Sequence, residues 1–192
     1  MPRSRTLVLA LGCVGAALLF GQAAPASRTA TGCGVKFTST VNGHRYEGVC
    51  KKDATWPQAV AGARRAGGHL VTLSSAAENR FVFAHINFAA IWRPNGQGVS
   101  AGPWIGLIQK AGSAEPAGGF GWITGEPLTY TDWSPGEPNN SSTTSNNKTY
   151  TDDAGVYWDN GSGHSPRWDD VPHQPGAGLT NGYVIEWDHP GK

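Results

Sequence analysis

Acidic and amide side chains gather in three short segments in the second half of this chain. The segments are Glu137-Pro138-Asn139, Asp152-Asp153 and Trp168-Asp169-Asp170. Together they offer carboxylate and amide oxygens, with no cysteine and no expected histidine ligand among them. Calcium takes about six to eight hard oxygen ligands, whereas zinc prefers nitrogen and sulfur. We therefore predict a calcium site built from three segments, unlike the single continuous loop of an EF-hand.

The stretch between the first two segments, Asn139–Thr151, is almost wholly polar. A loop of this length without secondary structure of its own is usually functional or disordered. Acidic residues lie at its edges, so a bound metal would organise it. The 27 glycines and 13 prolines of the chain likewise indicate turns and long loops rather than a helix bundle.

The first 26 residues have the layout of a secretory signal peptide. Arg3 and Arg5 precede an uncharged, mostly apolar run, Leu7–Phe20, and Ala24-Pro25-Ala26 is a small-x-small cleavage site. The run is shorter than the roughly 20 residues that span a membrane. No later segment is apolar enough to span one. We therefore expect a secreted protein, extracellular or at the cell surface, with residues 27–32 as a linker.

Cleavage of this leader would take the formal charge from +1 to −1. A near-neutral chain has no basic stripe for nucleic acid, so we expect no nucleic-acid partner. A second interpretation of the leader is a lipoprotein signal at Gly12-Cys13, although the apolar run continues beyond Cys13.

The N-terminal part of the mature chain has the pattern of a hairpin closed by a disulfide. Asn42-Gly43 separates two strand-like runs, Val35–Val41 and His44–Val49, and favours a tight turn because both turn positions take positive φ. A modest slip from a two-residue turn would bring Cys33 opposite Cys50. Two cysteines in an exported chain most simply form one disulfide, and two free thiols are the alternative.

Two helices are predicted after the hairpin. Thr55 caps the first, which ends at Gly67-Gly68, and Ser75-Ala76-Ala77-Glu78 is a capping box that begins the second. His69–Leu73 between them is strand-like. Further strand-like segments are Trp104–Ile108, Phe120–Ile123, Val156–Trp158 and Tyr183–Trp187.

Several motifs in order resemble a C-type lectin-like domain over residues 33–189. They are Trp56-Pro57-Gln58-Ala59, Gly67 to Thr72, Ser75 to Glu78, Trp104-Ile105-Gly106-Leu107, Trp133 with Glu137-Pro138-Asn139, Trp168-Asp169-Asp170, and Tyr183 to Trp187. The resemblance implies an α+β fold, with two helices flanking small antiparallel sheets and a long calcium-binding loop region.

The resemblance also implies roles for single residues. Pro138 is cis, and a further acid after the polar loop completes the site, where Asp152 fits better than Asp153. The implied calcium ligands are Glu137, Asn139, Asp152, Asp169 and Asp170.

In such domains the calcium ion binds two adjacent sugar hydroxyls, and its ligands also hydrogen-bond them. Glu137, Asn139 and Asp169 would do so here, and the Glu-Pro-Asn order resembles binders of mannose-, glucose- and fucose-type sugars. Asp169 stands where the family has Asn, and an ionised Asp only accepts hydrogen bonds. The alternative function is protein–protein adhesion, with calcium only structural or absent.

The two disulfides usual in the family are absent. Ala63 and Ile185 occupy one pair of positions, and Ala154 or Gly155 with His173 occupies the other. Trp133 is expected in the core or stacked on a sugar. Four further tryptophans are expected in the core: Trp104, Trp122, Trp168 and Trp187. No catalytic motif is present, so a binding protein is predicted rather than an enzyme.

Overall fold

The computed structural model describes residues 32–96, 98–145, 147–159, 161–173 and 180–188. The predicted leader lies outside the described residues, as does the linker apart from Gly32. Strands β1–β11 and helices α1 and α2 follow in chain order: β1 Lys36–Thr38, β2 Arg45–Ala54, α1 Trp56–Arg65, β3 His69–Leu70, α2 Ala76–Ile86, β4 Arg93–Pro94, β5 Ser100–Gln109, β6 Phe120–Trp122, β7 Ser142–Ser145, β8 Lys148–Thr151, β9 Ala154–Asp159, β10 His164–Val171 and β11 Thr180–Trp187.

Nine of these strands form one sheet, in the order β1-β2-β11-β5-β9-β10. Strand β3 pairs with β11, while β4 and β6 pair with β5. The α+β class is confirmed. The sheet is mixed, however, because β11 runs parallel to β5, with Tyr183 opposite Trp104. Strand β11 lies between β2 and β5. Its antiparallel pairing with β2 sets its direction along the sheet.

The N-terminal hairpin is confirmed, with a wider turn than predicted. Phe37 lies opposite Tyr46, and the Ser39 N–H donates to the His44 carbonyl oxygen at 2.8 Å. This register is shifted by two residues from the one that a two-residue turn at Asn42-Gly43 would give. The shift places Cys33 opposite Cys50. The predicted disulfide joins them, with Cα atoms 5.3 Å apart.

Both predicted helix starts are confirmed. Thr55 is the N-cap of α1, and the Ser75 hydroxyl accepts from the Glu78 N–H at 3.2 Å at the start of α2. In a capping box the Glu78 side chain would also accept a hydrogen bond from the Ser75 backbone N–H. The Glu78 side chain does not make this bond here. Its carboxylate instead accepts from the Ser74 N–H at 2.8 Å and from the Tyr46 hydroxyl at 2.7 Å. Glu78 thereby links α2 to β2.

The core contains the aromatic residues that were expected there. Trp104 and Trp168 are fully buried, and Trp122 and Trp187 are nearly so. Where the family has a disulfide, Ala63 of α1 and Ile185 of β11 belong to the same buried apolar cluster. Apolar packing therefore takes the place of that bridge.

The long polar loop has secondary structure that the sequence interpretation missed. Strands β7 and β8 pair antiparallel, with Ser142 opposite Thr151. Tyr150 is buried, whereas Thr149 and Thr151 are exposed. This alternation, together with β-branched threonines, is typical of a strand with one face covered. The ribbon formed by β7 and β8 connects two of the predicted ligand segments.

Candidate metal centre

The predicted ligand segments meet at one end of the main sheet. Strand β10 pairs with β9, so that Asp170 lies opposite Gly155, and Asp152 lies two residues before β9 begins. The segment that precedes Glu137 is bound to the same strand, because Ser134 N–H donates to the Trp168 carbonyl at 2.8 Å. Hydrogen bonds to β9 and β10 therefore bring three distant parts of the chain together.

Asp170 holds the Glu-Pro-Asn segment directly. Its two carboxylate oxygens accept from the backbone N–H groups of Asn139 at 3.1 Å and Asn140 at 3.0 Å. The Glu137–Pro138 peptide bond is cis, as the resemblance implied. These contacts fix the backbone on which Glu137 and Asn139 stand.

Three carboxylates converge at this point. One oxygen each from Glu137, Asp169 and Asp170 lies within 4.8 Å of the others. Among the described residues, no lysine or arginine forms an ion pair with any of the three. Three negative groups at this spacing repel one another unless they are protonated or share a cation.

The pKa values of the cluster are raised accordingly. Burial, together with the charge of Glu137, raises the pKa of Asp169 to about 9. Burial, together with the charge of Asp170, raises the pKa of Asp152 to about 8. Burial also raises the pKa values of Glu137 and Asp170. Without a cation the site therefore retains protons at neutral pH.

Several oxygens at this site are buried without a hydrogen-bond partner: Glu137 Oε2, Asn140 Oδ1 and Asp152 Oδ1. A buried polar atom left unpaired costs about 1–3 kcal/mol, so oxygens of this kind are expected to face a ligand. Carboxylate and amide oxygens suit calcium. The residues present therefore fit this ion.

Asp152 and its neighbour Asp153 have different surroundings. Asp152 is near Asp170 and Glu137, whose charges act on its pKa. Asp153 is engaged by His173, which approaches its Oδ1 with both the backbone N–H at 3.1 Å and the ring Nδ1 at 2.5 Å. This geometry favours Asp152 as the fourth acid of the cluster. The Asp153–His173 pair links the two regions that a family disulfide would join.

Two predicted residues are placed differently from the carboxylates. Asn139 is exposed, and its Oδ1 accepts from the Ser141 N–H at 2.6 Å. Trp133 packs edge-to-face on Phe120 and Trp168, with ring centroids 5.0 and 6.0 Å away. It therefore belongs to the packing under the site.

Asn140 was missed by sequence reasoning. Its backbone N–H bonds to Asp170, and its Oδ1 is one of the unpartnered buried oxygens. The only signal in the sequence was its place directly after the Glu-Pro-Asn triplet.

A second group of close ionisable side chains was also not predicted as a cluster: His44, Glu78 and Glu186. Glu186 is fully buried, and its carboxylate accepts from the Thr72 N–H at 2.7 Å and the Thr72 hydroxyl at 2.9 Å, with His44 Nδ1 at 2.6 Å. Both oxygens of Glu186 are thus engaged within the chain, which explains how this acid is accommodated in the core.

A family model described as "Lectin C-type domain" matches residues 52–171 of the chain. The chain belongs to the C-type lectin domain family. Its similarity to C-type mannose receptor 2 of Mus musculus is 31% identity over 127 residues, which is 66% of this chain and 8% of the receptor. The chain spans less than half the length of the curated relatives compared with it.

Solved structures of a C-type carbohydrate-recognition domain and of an antifreeze protein share the fold. The cow CD23 carbohydrate-recognition domain, determined in the presence of GlcNAc2Man3 oligosaccharide, has a TM-score of 0.53 and 23% identity, covering 75% of this chain and 87% of that one. A calcium-independent type II antifreeze protein has a TM-score of 0.50 and 20% identity, covering 83% of this chain and 97% of that one. At these identities the likeness establishes the fold alone.

The relatives of this C-type lectin domain include two receptors and a lectin, and they are not enzymes. None of the helices in the described part of the chain is long and apolar enough to cross a membrane.

Proposed function

We propose that this C-type lectin domain is a calcium-dependent carbohydrate-binding protein that recognises adjacent hydroxyls of mannose-, glucose- or fucose-type sugars. The observation that carries the proposal is the convergence of Glu137, Asp169 and Asp170 within 4.8 Å, with Glu137 Oε2 buried and unpartnered. Asp152 and Asn139 complete the proposed ligand set.

A bound calcium ion would supply the positive charge to which lone pairs of two adjacent hydroxyl oxygens are attracted. The residues of the chain orient those hydroxyls. Glu137 would accept a hydrogen bond from one hydroxyl, and the Asn139 side-chain amide N–H would donate a hydrogen bond to the second. Asp169 would only accept hydrogen bonds when ionised, so a hydroxyl facing it would have to donate. Asp170 holds the Asn139 backbone at the distance described above.

Similar proteins support the carbohydrate-binding part of this proposal. One relative is a mannose receptor, and one structure of the same fold was determined in the presence of an oligosaccharide. The disulfide further supports a location outside the cell, where such bonds persist. Secretion through the predicted leader is part of the same proposal.

Calcium binding is tested separately from sugar binding. Thermal melts in millimolar calcium and in EDTA should differ, because a ligand at a hundredfold excess over its Kd stabilises the native state by about 2.7 kcal/mol. Asp169→Ala should shrink the difference, while Glu126→Ala, which removes an exposed acid outside the cluster, serves as the matched control. Identical melts for the parent protein in both buffers would contradict the calcium site.

Sugar binding is tested on a glycan array, with calcium and with EDTA. We expect retention on dense mannose, glucose or fucose surfaces only with calcium. Single-site affinity should be weak, on the order of millimolar or about −4 kcal/mol, because the hydroxyls must be desolvated. Dense surfaces compensate through multivalency.

Protein–protein adhesion is the second candidate. Two observations favour it: Asp169 replaces the family's Asn, and the side-chain oxygen Oδ1 of Asn139 already accepts a hydrogen bond from the Ser141 N–H. A calcium shift in the melts without sugar retention on any surface would favour adhesion with structural calcium.

A further inference from the structure

A cavity of about 450 Å³ is lined in part by Asp153, the residue after Asp152. Its volume is within the range of about 300–1,000 Å³ that small-molecule sites occupy. The side chains that matter chemically are Trp56, Ile108, Lys110, Glu115, Asp153 and His173. Nothing in the proposed calcium site uses this cavity.

One wall of the cavity is the loop after β5, and a buried glutamine keeps it in place. Gln109 is 8% exposed, and its Nε2 donates to Glu115 Oε2 at 2.9 Å and to the Gly118 carbonyl at 2.9 Å. The Gln109 N–H also donates to the Asp153 carbonyl at 2.8 Å. This wall is therefore already formed and is connected to the backbone beside the acidic cluster.

The facing wall is held in the same way. Trp56 donates its indole N–H to the Ile105 carbonyl at 3.1 Å, and the His173 ring stands edge-on to it at 6.3 Å. His173 is in turn bonded to Asp153. The aromatic side chain and the acid are thus fixed relative to each other before any ligand arrives.

The chemistry of the walls favours a neutral polyol. Carboxylates only accept hydrogen bonds and the lysine ammonium only donates, so Glu115 and Lys110 together match the donors and acceptors of hydroxyl groups. Charges of both signs disfavour a phosphate or a simple cation. Trp56 and Ile108 supply apolar surface suited to the C–H face of a sugar ring.

We propose that this cavity binds a second sugar residue, linked to the one held at the candidate calcium site, so that the domain recognises a disaccharide. The inference rests on the proposed function above. The two sites adjoin, because Asp153 lines the cavity and its backbone N–H donates at 3.3 Å to the carbonyl oxygen of Val171, the residue directly after Asp170 of the acidic cluster.

The test compares a monosaccharide with its disaccharides, in calcium, by NMR titration of labelled protein. The probes are methyl α-mannoside and the α1,2-, α1,3- and α1,6-linked dimannosides. We expect at least one dimannoside to bind about tenfold more tightly than the monosaccharide. Ala111→Trp, in the exposed loop that lines the cavity, should remove this gain and leave methyl α-mannoside binding unchanged.

Two further variants keep the test decisive. Ala117→Trp lies in the same exposed loop but does not line the cavity, so it should behave as the parent protein does. Lys110→Ala removes a polar group without adding bulk and should reduce dimannoside affinity only.

Each result distinguishes the two proposals. Absence of any methyl α-mannoside binding in calcium counts against mannose recognition at the calcium site, and the disaccharide inference is rejected with it. Monosaccharide binding with no preference for any dimannoside overturns the cavity inference alone. A preference that survives in both Ala111→Trp and Lys110→Ala also overturns it.

Discussion

The carboxylate of Asp170 accepts a hydrogen bond from the backbone N–H of Asn139, 31 residues earlier in the chain, at 3.1 Å. The other oxygen of Asp170 accepts from the next backbone N–H. One buried acid on β10 thus fixes the backbone of the segment proposed to contact sugar. It also contributes to the cluster proposed to hold the ion, so its two roles must be separated experimentally.

Asp170→Ala should destabilise the protein even when calcium is removed. Two backbone N–H groups would lose their acceptor, and each buried polar group left unpaired costs about 1–3 kcal/mol. Asp170→Asn keeps one acceptor and should cost less. Urea unfolding in EDTA measures both changes, with the exposed Glu126→Ala as a control expected to stay within about 0.5 kcal/mol. Equal stability of Asp170→Ala and the parent protein would contradict the supporting role.

The stability of the calcium-free protein should fall as pH rises. Folding raises the pKa of Asp152 to about 8 and that of Asp169 to about 9, from ordinary values of 3.8. Groups whose pKa is raised stabilise the native state fully below the unfolded pKa, and this contribution is lost as pH rises through the folded pKa. Melts in EDTA between pH 5 and pH 9 should show the decline.

The matched variant for this pH series is Asp152→Asn with Asp169→Asn, in which neither position titrates. Its melting temperature should vary less with pH than that of the parent protein in EDTA. Calcium at saturating concentration should also flatten the parent profile, because the cation replaces the protons. Parallel profiles for parent and variant would show that other groups determine the pH dependence.

The disulfide should contribute to stability without affecting the metal site. Cys33 and Cys50 are 17 residues apart, and closing a loop of about this size is worth roughly 3 kcal/mol in the chain-entropy model. The double variant Cys33→Ser, Cys50→Ser should lose about that much in urea unfolding. Its calcium affinity, measured by titration, should equal that of the parent protein. A large loss of calcium affinity would mean that the hairpin supports the site.

Sugar preference should follow the order of acceptor and donor around Pro138. Glu137→Gln with Asn139→Asp exchanges them, and retention should shift toward galactose-type surfaces. Asp169→Asn restores a donor-bearing amide and should strengthen mannose-type binding. Array retention in calcium measures both variants. Failure of mannose, glucose and fucose surfaces to retain either the parent protein or Asp169→Asn would reject the lectin proposal.

Local signals in the sequence predicted the elements well, and pairing over distance was harder to predict. Thr55 and Ser75 start helices as expected, because caps depend on neighbouring residues. The register of the first hairpin differed by two residues, because the turn also engages Ser39 and His44. The β7–β8 ribbon was missed because serine and threonine strands lack the apolar alternation that identifies strands.

The same contrast between local signals and contacts over distance applies to the candidate site. The acids were found from residue type and order, and the structure brings Glu137, Asp169 and Asp170 together. Asn140 and the pairing of Asp153 with His173 depend on which way side chains turn in the fold. Sequence order carries no information on that.

The ribbon formed by β7 and β8 is a two-stranded sheet of its own, inserted between Asn140 and Asp152, which are positioned by other parts of the fold. Its length is therefore not constrained by the geometry of the acidic cluster. Doubling the length of a flexible loop costs only about 0.6 kcal/mol in closure entropy. The domain should accept grafted peptides at this position, which would make it a scaffold for displaying variable segments beside a metal site.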